Sequence, residues 1–343
     1  MTSSRLLSVA LLVTLALGVW MRWALAGALS LPIDFAHLRH AHSHLGAYGV
    51  LFPLAFVAWR AAGAPAPGPR VMVVYAAATV LATFGFLRAG YGVDAIIGST
   101  IVGALWLHGA FRLRHRVLRL DDPLALVPFG IVAAMTCVPF IAFTLRRDPP
   151  LAQHLVATFL SALLLVVVAP SALSAIGARA WPSPVLTVAG LASAAALGVW
   201  PSAPARLGLA VYALFFLSVV RERAVPMVLR VSWAGVGAGL LAMALGLIPN
   251  VRPAVLGALH FLVLGPVLLS LTRQRWSLAS PFALAAGFVA VGLLTAPLVL
   301  QALDVTRWTM EVSALGGTLV LAWWFVAVVV APSRSVAEPK VAA

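Results

Sequence analysis

The chain has 343 residues, 63% of them hydrophobic and only 9% charged, with a mean hydropathy of +1.06. A soluble protein of this length carries far more charged surface, so a soluble fold is excluded. The formal net charge of +14 invites a nucleic-acid reading, but the basic residues are 22 arginines and the single Lys340, and nearly all stand at the ends of apolar stretches. That is the positive-inside signature of a membrane protein rather than a basic face, and it argues against a nucleic-acid partner. The one cysteine, Cys137, permits neither a disulfide framework nor a CxxC metal site.

In chain order, the run from Arg5 to about Trp23 lacks a small-x-small cleavage site and reads as a retained first helix rather than a signal peptide. Further apolar segments follow, and the twelve spans lie at roughly 5–28, 36–60, 70–88, 92–111, 123–145, 151–177, 183–200, 204–221, 227–247, 253–272, 280–301 and 309–331. Proline and glycine mark the breaks, as in Pro65 to Pro69, Pro149-Pro150, Pro182 to Pro184, Pro201 to Pro204, Pro249 and Pro253. The expected fold is therefore all-α: a polytopic membrane protein with one transmembrane domain over 1–332 and a short cytoplasmic tail over 333–343. With the N-terminus inside, 15 of the 23 basic residues fall at cytoplasmic ends and 8 at the opposite ends. The bias predicts an even number of spans, both termini in the cytoplasm, and a bacterial-type inner (plasma) membrane with lipid as the surrounding partner.

The twelve spans divide into three units of four. His44, His154 and His260 open the second, sixth and tenth spans, and each precedes a long apolar helix: HLGAYGVLFPLAF, HLVATFLSALLLV and HFLVLGPVLLSL. Gly49 and Gly265 both lie five residues after their histidine, whereas Phe159 breaks the match. The value of this weak repeat is that three histidines fall at equivalent places in three equivalent helices.

Of eight histidines, His115 lies in an arginine-rich loop and His108 near the same face, where solvated or headgroup-facing roles suffice. The other six, His37, His40, His42, His44, His154 and His260, lie at outer helix ends. At 1.5 Å per residue, His44 sits about 12 Å below its helix start, His154 about 5 Å and His260 about 10 Å, a shared depth band. Ionisable residues at such depth are costly and face the bundle interior with a partner, and neutral imidazole is the commonest protein metal ligand. His37, His40 and His44 share one helical face, while His42 points about 160° away from His44. One helix can thus serve two sites. Asp34 and Arg39 are near enough to orient imidazoles or to pair with a propionate. Haem is the best candidate cofactor: two imidazoles from facing helices ligate its iron, and Gly46, Gly49 and Gly265 leave room for a flat macrocycle. Copper also suits imidazole. Met135 and Cys137 could bind copper(I) but read as packing residues.

These residues resemble a known family. HAHSHLGAYG in the second span, a histidine opening the sixth, and ALHFLVLGPVLLSL in the tenth look like subunit I of the haem-copper oxidases. They look more closely like its NnrS-type relatives, twelve-helix haem- and copper-containing membrane proteins linked to nitric oxide stress. The resemblance implies haem b, copper as a second cofactor, and a redox partner protein. It matches His40-Ala-His42 or His42-Ser-His44, with Gly46 or Gly49, to the family's second-helix motif, and Leu259-His260 to Gly265 to its tenth-helix motif. On this reading His44 or His42 and His260 are axial ligands, with His40, His42 and His154 available to a second metal. Departures are equally specific. Helix six has no tyrosine one turn after His154, helix seven has no histidine, and helix ten has only His260. These argue against an oxygen-reducing binuclear centre, and the lack of mid-membrane acids argues against proton pumping. Turnover is left open: such a site senses, binds or passes electrons. The rival readings are a small-molecule or metal transporter and an assembly factor that delivers haem or copper.

Overall fold

The computed structural model describes residues 2–178, 181–198, 202–272, 281–303 and 308–330. Arg179, Arg273, Arg275, Asp304, Arg307, Arg334, Lys340 and the 333–343 tail lie outside the described residues. No strand occurs among those described, and eleven helices are long and apolar enough to cross a membrane. They are α1 (Arg5–Leu25), α2 (Phe35–Ala61), α3 (Pro69–Ala89), α4 (Val93–Arg116), α5 (Pro123–Thr144), α6 (Pro149–Ala175), α8 (Ala203–Arg221), α9 (Met227–Ala244), α10 (Arg252–Thr272), α11 (Phe282–Ala302) and α12 (Thr309–Val329), with the shorter apolar α7 (Ser183–Leu197) between the sixth and eighth. Hydrocarbon offers the backbone no hydrogen-bond partner, so every span closes its own ladder as a helix.

The twelve helices pack as a closed ring of three four-helix units. Within each unit the first helix packs on the second, the second on the third and the third on the fourth. The units then join α4 to α5, α8 to α9 and α12 back to α1. The second helix of each unit lies inside: 56%, 61% and 72% of the most apolar stretch of α2, α6 and α10 is buried, against 33–44% for the other long spans. Their later halves touch one another directly, and the Trp59 indole on α2 donates to Ser171 Oγ on α6 at 2.8 Å. The exposed Leu, Val and Phe side chains lie mainly on the nine peripheral helices, as a lipid-facing surface requires.

Each inner helix carries a π segment near its middle: Leu45–Leu51 in α2, Ala162–Val168 in α6 and Val263–Val267 in α10. Proline accompanies each, as Pro53, Pro170 and Pro266. A proline has no N–H and clashes with the carbonyl one turn back, and widening the preceding turn accommodates it. In α10 the kink falls at Gly265, whose φ/ψ of −82/−105 leaves the helical region. The same irregularity at one level of three equivalent helices supports the threefold plan far more strongly than the sequence repeat does.

At the end of the bundle away from His37, His40, His42 and His44, Arg116 is 7% exposed. It donates to Asp122 Oδ2 at 2.7 Å and to the Ala62 carbonyl at 2.9 Å, so one guanidinium ties the ends of α2 and α4 to the start of α5. The charge tally counts Arg116 only as one basic residue at a helix end; tertiary packing buries it against an acid six residues away. Replacing one member of a buried pair strands the other, at a cost of about 3 kcal/mol. Arg116→Met is expected to lower the thermal unfolding midpoint in detergent sharply, and adding Asp122→Asn to recover much of the loss.

Candidate imidazole site

α2 begins at Asp34, whose carboxylate accepts from the backbone N–H groups of Ala36 and His37. Those bonds, His37 first, hold its carboxyl below the usual carboxylate range. Asp34 is therefore a helix cap rather than an imidazole-orienting acid. From this start the helix carries His37, His40, His42 and His44 into the bundle, and the 100° step per residue divides them between two faces.

His42 points toward α1 and α10. Its Nδ1 lies 2.8 Å from the Thr14 carbonyl, and its ring lies against Gly18, where an added Cβ would come within 2.8 Å of His42 Cε1. The His260 ring of α10 lies beside it, with centroids 6.5 Å apart and planes within 7° of parallel. His260 Nδ1 is in turn 2.8 Å from the Leu256 carbonyl. A carbonyl oxygen only accepts, so both Nδ1 atoms carry hydrogen and both neutral rings keep their lone pair on Nε2. Both residues are half-buried. The Arg22 guanidinium of α1 lies close enough to act electrostatically on both. It is held by the Gly18 carbonyl at 3.4 Å and by Ser313 Oγ of α12 at 3.2 Å.

His40 and His44 occupy the other face of α2, against α3 and the turn after it. Their centroids are 6.2 Å apart. His44 stacks on Phe86 at 3.9 Å, and Tyr91 lies edge-on to His40 at 4.7 Å. His44 Nδ1 is 2.8 Å from the His40 carbonyl, the same arrangement again. Tyr48, one turn further on, meets the His44 ring at 5.1 Å. His37 packs at Gly90, which turns at φ +59 between α3 and α4.

His154 stands apart from both pairs. It is exposed, and its Nδ1 lies 3.1 Å from the Gly198 carbonyl just past α7. The convergence expected from three helices is thus one of two, α2 and α10, with α1 closing the site. The reason is depth: His154 lies only one turn into α6, above the layer where the inner helices meet. Among the described residues no three His, Cys, Asp or Glu side chains converge to hold a metal ion. The glycines also take separate roles. Gly46 and Gly49 face Thr14 and Ala10 and let α2 close on α1, whereas Gly265 marks the α10 kink, and a Cβ there would meet Val291 at 3.9 Å, an ordinary contact. Met135 packs near Gly103, and the Cys137 thiol donates to the Ala133 carbonyl. Asp94 pairs with Arg88 at the rim.

No known family model matches the chain, and no curated protein matches its sequence. The site therefore rests on its own geometry.

Sequence reasoning missed the α1 contribution. Thr14, Gly18 and Arg22 follow at four-residue spacing and so form one face, a polar and small-residue stripe in an otherwise apolar helix that could have signalled it. Gly18→Val is expected to push the His42 ring off the Thr14 carbonyl and to cost about 1–3 kcal/mol by overpacking, read as a lower unfolding midpoint in detergent; Gly27→Val in the loop beyond α1 tests only the local turn.

Proposed function

We propose that this chain is a haem-binding membrane protein of the haem-copper-oxidase-like class, with His42 and His260 as the two axial ligands. One observation carries the reading: two imidazoles from helices far apart in sequence lie side by side, each with Nδ1 committed to a carbonyl and Nε2 left as a lone-pair donor. An atom about 2 Å from each Nε2 holds two such centroids roughly 6 Å apart, close to the observed 6.5 Å. The donor set fits low-spin iron, which takes two neutral imidazoles. It does not fit a structural zinc site, which needs four protein ligands.

When bound, haem held by two imidazoles would supply one-electron chemistry. The chain's residues supply the rest. Thr14 and Leu256 fix the imidazole tautomers, and Gly18 allows His42 its close approach to α1. Arg22 places a positive charge beside the pair. Arg39 and Arg252, at the starts of α2 and α10, lie within electrostatic range of each other and are suited to meet propionate carboxylates. The two inner helices that bear the ligands belong to a twelve-helix plan of the kind the resemblance implies. A role in nitric oxide or related redox stress, a redox partner protein, copper as a second cofactor, a bacterial inner-membrane location and cytoplasmic termini complete the proposal, on the resemblance and the arginine bias.

The test is an oxidised and a dithionite-reduced absorption spectrum of protein purified from a haem-replete host. The expected outcome is a Soret band and a sharp reduced α band, both lost in His42→Ala and in His260→Ala and kept in His44→Ala. A folded, monodisperse preparation without a Soret band overturns the reading and leaves a transporter or an assembly factor. A spectrum lost in His44→Ala but kept in His42→Ala moves the ligand to the other face of α2.

A further inference from the structure

We infer that His40 and His44 form a second site, independent of the His42–His260 pair: a two-imidazole chelate for an exchangeable divalent cation of the zinc class, between α2, α3 and the α3–α4 turn. Histidines four residues apart on one helical face are a natural chelate, because the helix itself sets their separation. Here the centroids are 6.2 Å apart and the planes 60° to each other. An ion about 2.0–2.1 Å from each nitrogen separates two imidazole centroids by roughly 5 to 6.5 Å, depending on the angle at the metal.

Both rings have donor capacity to spare. His44 gives its Nδ1 hydrogen to the His40 carbonyl, so Nε2 keeps its lone pair. The His40 ring makes no hydrogen bond among the described residues, although its residue is partly buried. The site is also preorganised: Phe86 stacks on His44 at 3.9 Å and lies 5.9 Å from His40. Tyr91, itself 45% exposed, brings a phenol beside both rings at 4.7 and 6.2 Å. That exposure leaves the pair within reach of water at this end of the bundle.

The surroundings select the cation. Asp34, the acid nearest in sequence, caps α2 through Oδ1 and does not join the pair, and Arg39 adds positive charge next to His40. Calcium and magnesium need carboxylate and carbonyl oxygens and find too few. A borderline cation bound through nitrogen lone pairs does not. Because no third His, Cys, Asp or Glu joins the pair among the described residues, water completes the coordination. A site with two protein ligands and open positions exchanges its ion, unlike a closed structural site. It suits a cation that modulates the protein from the aqueous side.

The test is calorimetric titration of Zn²⁺ into full-length protein in detergent, prepared without a polyhistidine tag and stripped with EDTA. One Zn²⁺ per chain is expected, with Cu²⁺ binding more tightly and Mg²⁺ and Ca²⁺ giving no heat. His40→Ala and His44→Ala should each weaken Zn²⁺ binding by at least about tenfold, since loss of a group that merely hydrogen-bonds a ligand already costs that much; His115→Ala should not. His40 makes no hydrogen bond to lose, so His40→Ala separates ligation from folding, and an unchanged haem spectrum in that variant separates this site from the one proposed above. Wild-type protein that takes up no Zn²⁺, or a His40→Ala/His44→Ala double variant with unchanged affinity, overturns the inference.

Discussion

The site depends on one recurring interaction: a backbone carbonyl that holds an imidazole Nδ1. It occurs at His42, His44, His154 and His260, with oxygens from Thr14, His40, Gly198 and Leu256. In two cases the carbonyl belongs to the residue one turn back on the same helix, where it is shared with the helix ladder. In the other two it comes from a different helix or from the residue just beyond one. Either way the consequence is the same. The tautomer is settled by an atom that cannot donate, and the remaining nitrogen of each neutral ring is a Lewis base. In an apolar layer such a nitrogen is costly to leave without a partner.

That chemistry is placed by the three inner helices. A ring of twelve helices with three inside brings α2 and α10 together while α1 closes the gap between their units. The π segments and prolines sit just beyond His44 and His260, at the level where the inner helices begin to touch. A π turn shifts the helical phase of everything after it. The histidine-bearing first turns and the tryptophan- and serine-bearing last turns therefore follow different faces of the same helix. The first halves are free to diverge and hold side chains between them, while the second halves pack directly, as Trp59 on Ser171 shows.

α2 acts as a partition. Its His42 face belongs to the interior with α1 and α10, and its His40–His44 face packs on Phe86 and Tyr91. Positive charge gathers at this end of the bundle with few acids to balance it: Arg22 bonds a serine and a carbonyl, and Arg39 lies near Arg252. Buried or partly buried cations are retained where they meet an opposite charge. The propionates of the haem proposed above would satisfy that requirement without any carboxylate from the chain.

Sequence alone determined the membrane environment, the twelve apolar segments to within a few residues, and the division of the α2 histidines between two faces. Each of these follows from local physics: transfer free energy summed along a segment, and a helical step of 100°. It also pointed to His260 as the partner across the bundle, on a resemblance rather than on spacing. Tertiary structure alone decided that His42, and not His44, meets His260, that His154 stays outside, and that Gly46 and Gly49 serve the packing of α2 on α1. It likewise turned Arg116 from a helix-end charge into a buried tie. The reason is common to all four. Depth and face can be counted along one helix, but which neighbour occupies that face depends on how the three units close into a ring. That closure is set by contacts such as α12 on α1, between residues some three hundred positions apart in the chain, and no periodicity within a single segment encodes it.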